Sequence, residues 1–180
     1  MKTQVALSAI GRDRPGIVAG LTKVLFEKGC NLEDSSMTLL KGDFAVLLLV
    51  TLPEGLTTSG LAEAVEPTAD SLGLTTVLRE LKPGEMAPKS GARPYTLVVY
   101  GADRPGIVFK VTGAAAGHGL NVTDLRTHVT GEASKPVYSL SMDVEAPDAV
   151  SAKAFAKDLE VLKAELKVDV VFHAVEAEEL

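Results

Sequence analysis

The sequence predicts an α+β fold of two tandem β-α-β-β-α-β units, each an antiparallel four-stranded sheet with both helices on one face. Three observations carry this prediction. First, Gly11-Arg12-Asp13-Arg14-Pro15-Gly16-Ile17-Val18 returns with one change as Gly101-Ala102-Asp103-Arg104-Pro105-Gly106-Ile107-Val108, an offset of 90 residues in a chain of 180. Second, the same offset lays Gly29 on Gly119, Asn31 on Asn121 and Asp34 on Asp124, with Leu21, Val24 and Leu25 falling on Val111, Ala114 and Ala115. Solenoid periods run roughly 20 to 50 residues, so a repeat this long is a duplicated domain. Third, within each half the apolar period switches between two and 3.6 in the order strand, helix, strand, strand, helix, strand.

In the first half, residues 3–10 alternate and end at Gly11, as a strand does. Ile17, Val18, Leu21, Val24 and Leu25 then share one helix face, and Gly29 stops that helix. Residues 31–40 and 44–52 are apolar-rich strands joined at Lys41-Gly42-Asp43, a short hairpin signal. A second helix covers about 58–73 and a closing strand 75–81. Pro67 falls inside that helix and is expected to kink or split it, because proline removes one backbone hydrogen bond.

The second half repeats the order: strand 95–100, helix 105–118, strands 121–130 and 137–144, a helix from Pro147-Asp148, and strand 167–175. Its hairpin, Gly131 to Pro136, is longer. The predicted domains are 1–81 and 94–175, with 82–93 a linker rich in proline and glycine and 176–180 an acidic, solvated tail. Right-handed crossovers make each unit ferredoxin-like and leave its second strand as an exposed edge. Pairing of such edges predicts a homodimer.

Bulk composition excludes several function classes. The net charge of −6 argues against direct nucleic-acid binding, and 4% aromatics with no Trp give no platform for stacking bases. No apolar run approaches the eighteen residues of a membrane span, and charged Arg12-Asp13-Arg14 ends the apolar start too early for a signal peptide. Cys30 stands alone, so a reducing, cytoplasmic setting is expected. Three scattered histidines offer no metal-ligand spacing, and no nucleophile–base pattern appears, so neither metal, cofactor nor catalytic residue is expected.

The repeated motif has a plain structural reading. Asp13 or Arg14 as N-cap with Pro15 in the first turn is an ordinary helix start, as are Asp103, Arg104 and Pro105. Gly16 and Gly106 do not fit it, since glycine in a first turn costs about 0.5–1 kcal/mol against alanine. A bare glycine there presents free amides and the positive dipole end to a carboxylate. Asn31 and Asn121, opening the next strand, are expected beside that terminus. Asp34, Asp124 or Asp13 would hold an ammonium group, which together describes an α-amino acid. An acylphosphatase-like enzyme, with Arg14 or Arg104 clamping phosphate and Asn31 or Asn121 orienting water, and a ligand-free interaction module remain alternatives on spacing alone.

Asp-Arg-Pro-Gly-Ile-Val, a helix closing on glycine, then Asn-Leu or Asn-Val opening a strand, resembles the ACT domain family, and both halves carry it. The resemblance implies a regulatory fold that binds amino acids at domain interfaces. It implies contacts from Asp13, Arg14, Pro15, Gly16, Ile17, Asn31 and Asp34, and from Asp103, Arg104, Pro105, Gly106, Ile107, Asn121 and Asp124. The free-standing tandem form resembles the ACT subfamily that represses glycine cleavage. That implies a non-catalytic regulator of glycine and one-carbon metabolism which senses a small amino acid, glycine or serine, and acts on a protein partner such as a transcription factor. Arg126 and His128 stand where the first half has Ser36 and Thr38, so the two sites are expected to differ chemically.

Overall fold

The computed structural model describes residues 3–82, 85, 91–131 and 136–175. The expected acidic tail 176–180, most of the linker 82–93 and the centre of the long hairpin after Gly131 lie outside the described residues. The chain divides into two compact units, Met1–Ala87 and Pro88–Leu180, each taken by itself below.

The first unit runs β1 (Gln4–Arg12), α1 (Ile17–Glu27), β2 (Asn31–Leu40), β3 (Asp43–Thr51), α2 (Thr58–Leu72) and β4 (Leu74–Glu80). The second runs β5 (Arg93–Ala102), α3 (Ile107–Gly117), β6 (Asn121–Thr130), β7 (Val137–Ala146), α4 (Ala149–Leu166) and β8 (Val168–Ala174). Strand order is β2-β3-β1-β4 and β6-β7-β5-β8, with every neighbouring pair antiparallel. Two ferredoxin-like β-α-β-β-α-β units result, as the periodicity predicts. This order also leaves β4 and β8 as edges, beyond the second strands named from topology.

Alternation decides which face is covered. Val5, Leu7 and Ala9 of β1 and Phe44, Val46, Leu48 and Val50 of β3 are buried against Ile17, Leu21 and Leu25 of α1 and Leu61, Val65 and Ala69 of α2. In the second unit Leu97, Val99, Leu140 and Met142 meet Ile107, Val111, Phe155 and Leu159, and Phe155 stands edge-on to Phe172 at 5.2 Å. The intervening strand residues form an open face on the other side of each sheet.

Lys41 (φ 50°) and Gly42 (φ 88°) close the first hairpin as a two-residue turn, pairing Leu40 with Asp43. Positive φ at both positions gives the twist that antiparallel strands accept. α2 is one continuous helix through Pro67, so the split that proline could have caused does not occur. One missing hydrogen bond is outweighed by a continuous buried stripe of Leu61, Val65 and Ala69.

The helix starts also differ from expectation. α1 and α3 begin at Ile17 and Ile107, with Gly16 (φ 95°) and Gly106 (φ 97°) as N-caps in the left-handed region. Asp13, Arg14 and Pro15 therefore precede the helix rather than capping or opening it, and so do Asp103, Arg104 and Pro105. Glycine is required by backbone conformation, because no heavy atom lies within 4 Å of a Cβ built at either position. Gly11 and Gly101 have a different cause. A Cβ at Gly11 would sit 2.7 Å from the Gly73 carbonyl oxygen, and one at Gly101 2.7 Å from Val168 Cγ1.

Candidate amino-acid site

The motif loops sit where β1 and β5 hand over to the first helices. The Asp13 amide donates to the Gly42 carbonyl at 3.0 Å, tying the loop to the tip of the β2–β3 hairpin. Lys41-Gly42 signals a turn in sequence, but that its carbonyl would hold this loop was not legible there.

The four helices differ in how their first amides are satisfied. Thr57 Oγ1 accepts from the Gly60 amide at 3.0 Å at the head of α2, and Asp148 Oδ1 accepts from the Ser151 amide at 2.7 Å at the head of α4. That bond, together with weaker hydrogen bonding from Ser151 and Val150 and the charge of Arg93, holds the Asp148 carboxyl below the usual carboxylate range. Neither α1 nor α3 has a side-chain cap, and neither has an acidic residue in its first turn. The two helices without a side-chain cap are the two that carry the repeated motif.

The remaining candidate residues separate. Ile17 and Ile107 are buried in the two cores, so toward a ligand they offer backbone only. Arg14 Nη2 donates to the Ser71 carbonyl at 2.7 Å, a cation on the C-terminal end of α2. Asn31 pairs with Thr51, which pairs with Gln4, whereas the motif loop follows Arg12, which pairs with Asp43. Asn31 therefore lies at the far end of the sheet from Gly16, about eight strand residues or roughly 27 Å away. Asn121 is displaced likewise, since it pairs with Glu145 opposite Pro94 while the loop follows Ala102. The expectation that these asparagines flank their own helix terminus is overturned. α1 carries the chain the length of the sheet before β2 begins. An acylphosphatase-like pairing of Arg14 with Asn31 does not form within one unit.

Asp34 and Asp124 point elsewhere again. The register that runs unshifted from each hairpin pairs Asp34 with Leu49 and Asp124 with Asp143 on the open face of each sheet, and a bulge between Leu32 and Asp34, repeated between Val122 and Asp124, ends that register. Asp34 accepts from the Ser35 amide at 2.7 Å, and Asp124 pairs with Arg126 Nη1 at 3.2 Å. The expected chemical difference between the halves is thus visible at Arg126, which neutralises the second aspartate only.

In the second unit a depression of about 530 Å³ opens beside the loop, lined by Tyr100, Ala102, Asp103, Pro136, Val137 and Asp169. Tyr138, half of the same strand end, has its hydroxyl pushed up by burial and by the Asp103 charge, against a hydrogen bond from Thr127 that lowers it. Cys30 is half-buried against the first core, and that burial raises its thiol. His118 caps α3 and pairs with Asp158 of α4 at 2.8 Å. No group of three metal-ligating side chains occurs among the described residues, and no helix there is long and apolar enough to cross a membrane.

Two four-stranded β-α-β-β-α-β units, each with a glycine-started first helix, define a tandem pair of regulatory-type domains, and the family model of the ACT domain matches residues 3–79 and 96–173. The chain belongs to the ACT-domain family. It is 40% identical over 78 residues to a UPF0237 protein of Methanopyrus kandleri, covering 43% of this chain and 87% of the relative. It is 26% identical over 151 residues to the glycine cleavage system transcriptional repressor of Escherichia coli, covering 83% of this chain and 77% of that one. A crystal structure of an unknown protein from Galdieria sulphuraria superimposes with a TM-score of 0.85 at 27% identity, covering 98% of this chain and 100% of the other.

Proposed function

We propose that the protein is a non-catalytic cytoplasmic regulator that binds a small amino acid, glycine or serine, and passes the signal to a protein partner such as a transcription factor of glycine and one-carbon metabolism. The carrying observation is the pair of uncapped first helices, α1 and α3, beside two side-chain-capped ones. Their amides would receive the ligand carboxylate. Similarity to the glycine cleavage repressor supports the metabolic setting.

The separation of Asn31 from Gly16 supports a site built from two copies. Antiparallel pairing of β2 with β2 of a second chain lays Asn31 of one copy beside Leu40 of the other. Leu40 adjoins the hairpin tip that holds the Asp13 loop. The half-exposed Leu32, Met37 and Leu39 along that edge would be covered by the same dimer.

A thermal-shift panel of the twenty amino acids tests this. A ligand at 100 times its dissociation constant adds about 2.7 kcal/mol of stability. Glycine or serine is expected to raise the melting temperature, and Asn31→Ala to remove the response at the first site. No response to any amino acid refutes the ligand and leaves an interaction module.

A further inference from the structure

The register set by the β2–β3 hairpin places Asp34 on the open face of the first sheet. Asp34 pairs with Leu49, Leu49 with Ala6, and Ala6 with Arg79, so one row crosses all four strands with an acid at one edge and a base at the other. Three inter-strand steps of about 4.8 Å put the two end Cα atoms roughly 14 Å apart. Between them lies an open depression of about 550 Å³, with Ala6 as its low floor and Leu47, Leu49, Val77 and Leu81 as apolar walls. This register runs unshifted from the two-residue turn at Leu40/Asp43 to Asp34/Leu49, and the bulge beyond it displaces only Leu32 and Asn31.

Glu85 also lines this depression, and its Oε2 accepts from Arg79 Nη1 at 2.7 Å and from the Lys82 amide at 3.2 Å. Those contacts hold the Glu85 carboxyl below its usual range. A tethered carboxylate thus already rests on the cation at one end of a trough whose middle is lined by apolar side chains and Ser8. At the other end, Asp34 keeps one carboxylate oxygen beyond the Ser35 contact.

The second unit does not repeat the arrangement. Its row reads Asp124, Asp143, Thr96, His173, with a polar floor where Thr96 donates to Asp143 at 2.8 Å and with Asp124 paired to Arg126.

We propose that the Asp34–Leu49–Ala6–Arg79 row is a second ligand site, taking an apolar α-amino acid as a zwitterion. Its carboxylate displaces Glu85 from Arg79, its ammonium meets Asp34, and its side chain rests on Leu47, Leu49 and Val77. Binding therefore frees Glu85 from Arg79. The site is independent of the motif loop.

Calorimetric titration of the full chain with L-leucine tests it. Wild type is expected to bind one L-leucine per chain at this site. Asp34→Asn and Arg79→Gln, both at exposed positions, are expected each to weaken binding at least about tenfold, the value of one charge-assisted hydrogen bond. Glu85→Gln is expected to tighten it, and 4-methylpentanoate and 3-methylbutylamine, each lacking one charge, to bind at least about tenfold more weakly. Asn31→Ala is expected to leave L-leucine binding unchanged while removing the response to glycine or serine. Absence of saturable binding in both wild type and Glu85→Gln overturns the proposal. So does equal binding by Asp34→Asn and Arg79→Gln, or loss of L-leucine binding in Asn31→Ala, which would place that ligand at the loop.

Discussion

Gly16→Ala is the perturbation whose sign the structure decides. Read from sequence, glycine in a first helical turn would gain up to about 1 kcal/mol on becoming alanine. In the structure Gly16 is the N-cap at φ 95°, and the added Cβ has open space with no atom within 4 Å. Steric overlap with neighbours is therefore absent, and the whole cost is backbone strain. An L-residue held in the left-handed region costs about 1–2 kcal/mol. For a unit of this size each kcal/mol lowers the melting temperature by roughly 4–8 °C, so a fall of about 4–16 °C is expected for the first unit. Gly106→Ala, at φ 97°, should cost the second unit a similar amount. Gly113→Ala supplies the opposite sign. It lies inside α3 in ordinary helical conformation with nothing within 4 Å, and should stabilise by about 0.5–1 kcal/mol. Differential scanning calorimetry of the three variants is the assay. If Gly16→Ala is neutral or stabilising, the left-handed cap does not exist and the site built on it fails. For ligand work Gly16→Asn is the better variant, since asparagine tolerates left-handed backbone while placing a side chain over the amides.

Further outcomes follow from other parts of the molecule. Thr57→Ala removes the cap on α2 and should cost about 1 kcal/mol of first-unit stability in urea unfolding, with no loss of amino-acid response. Phe155→Ala empties a fully buried site against Phe172 and should cost about 3–5 kcal/mol, lowering the second unit's transition and leaving the first unit's core intact. Asp148 is depressed by its bond to Ser151, so the stability it gives is present above its unfolded value and lost on acidification. The second unit should weaken as pH falls below the ordinary carboxylate range, and Asp148→Asn should flatten that part of the pH–stability curve. Met37→Lys, at a half-exposed position midway along β2, should leave the fold intact and convert a dimer to monomer in light scattering; an unchanged mass would refute pairing through β2.

Much of the fold was legible because local periodicity and backbone chemistry act over a few residues. β2 and β6 span the stretches their apolar pattern marks, and Gly29 and Gly119 close the first helices, where the Cys30 and Leu120 amides reach back to Leu25 and Ala115 at 2.9 Å. Duplication, element order and the family all follow from patterns that survive in one dimension. The helix does not split at Pro67: the one lost hydrogen bond is visible in sequence, whereas the buried stripe that outweighs it is a tertiary fact.

The site was only half legible for the same reason. A glycine, an asparagine and an aspartate near each other in sequence suggest one cluster, but an eleven-residue helix separates Gly16 from Asn31 by the length of the sheet, and the hairpin register turns Asp34 to the open face. The row from Asp34 to Arg79 joins residues 45 positions apart in the chain and exists only through the register of four strands. Residue type and period alone determine which elements form. Which side chains meet is decided by strand order and register, since these set the distances over which charge and hydrogen bonding act.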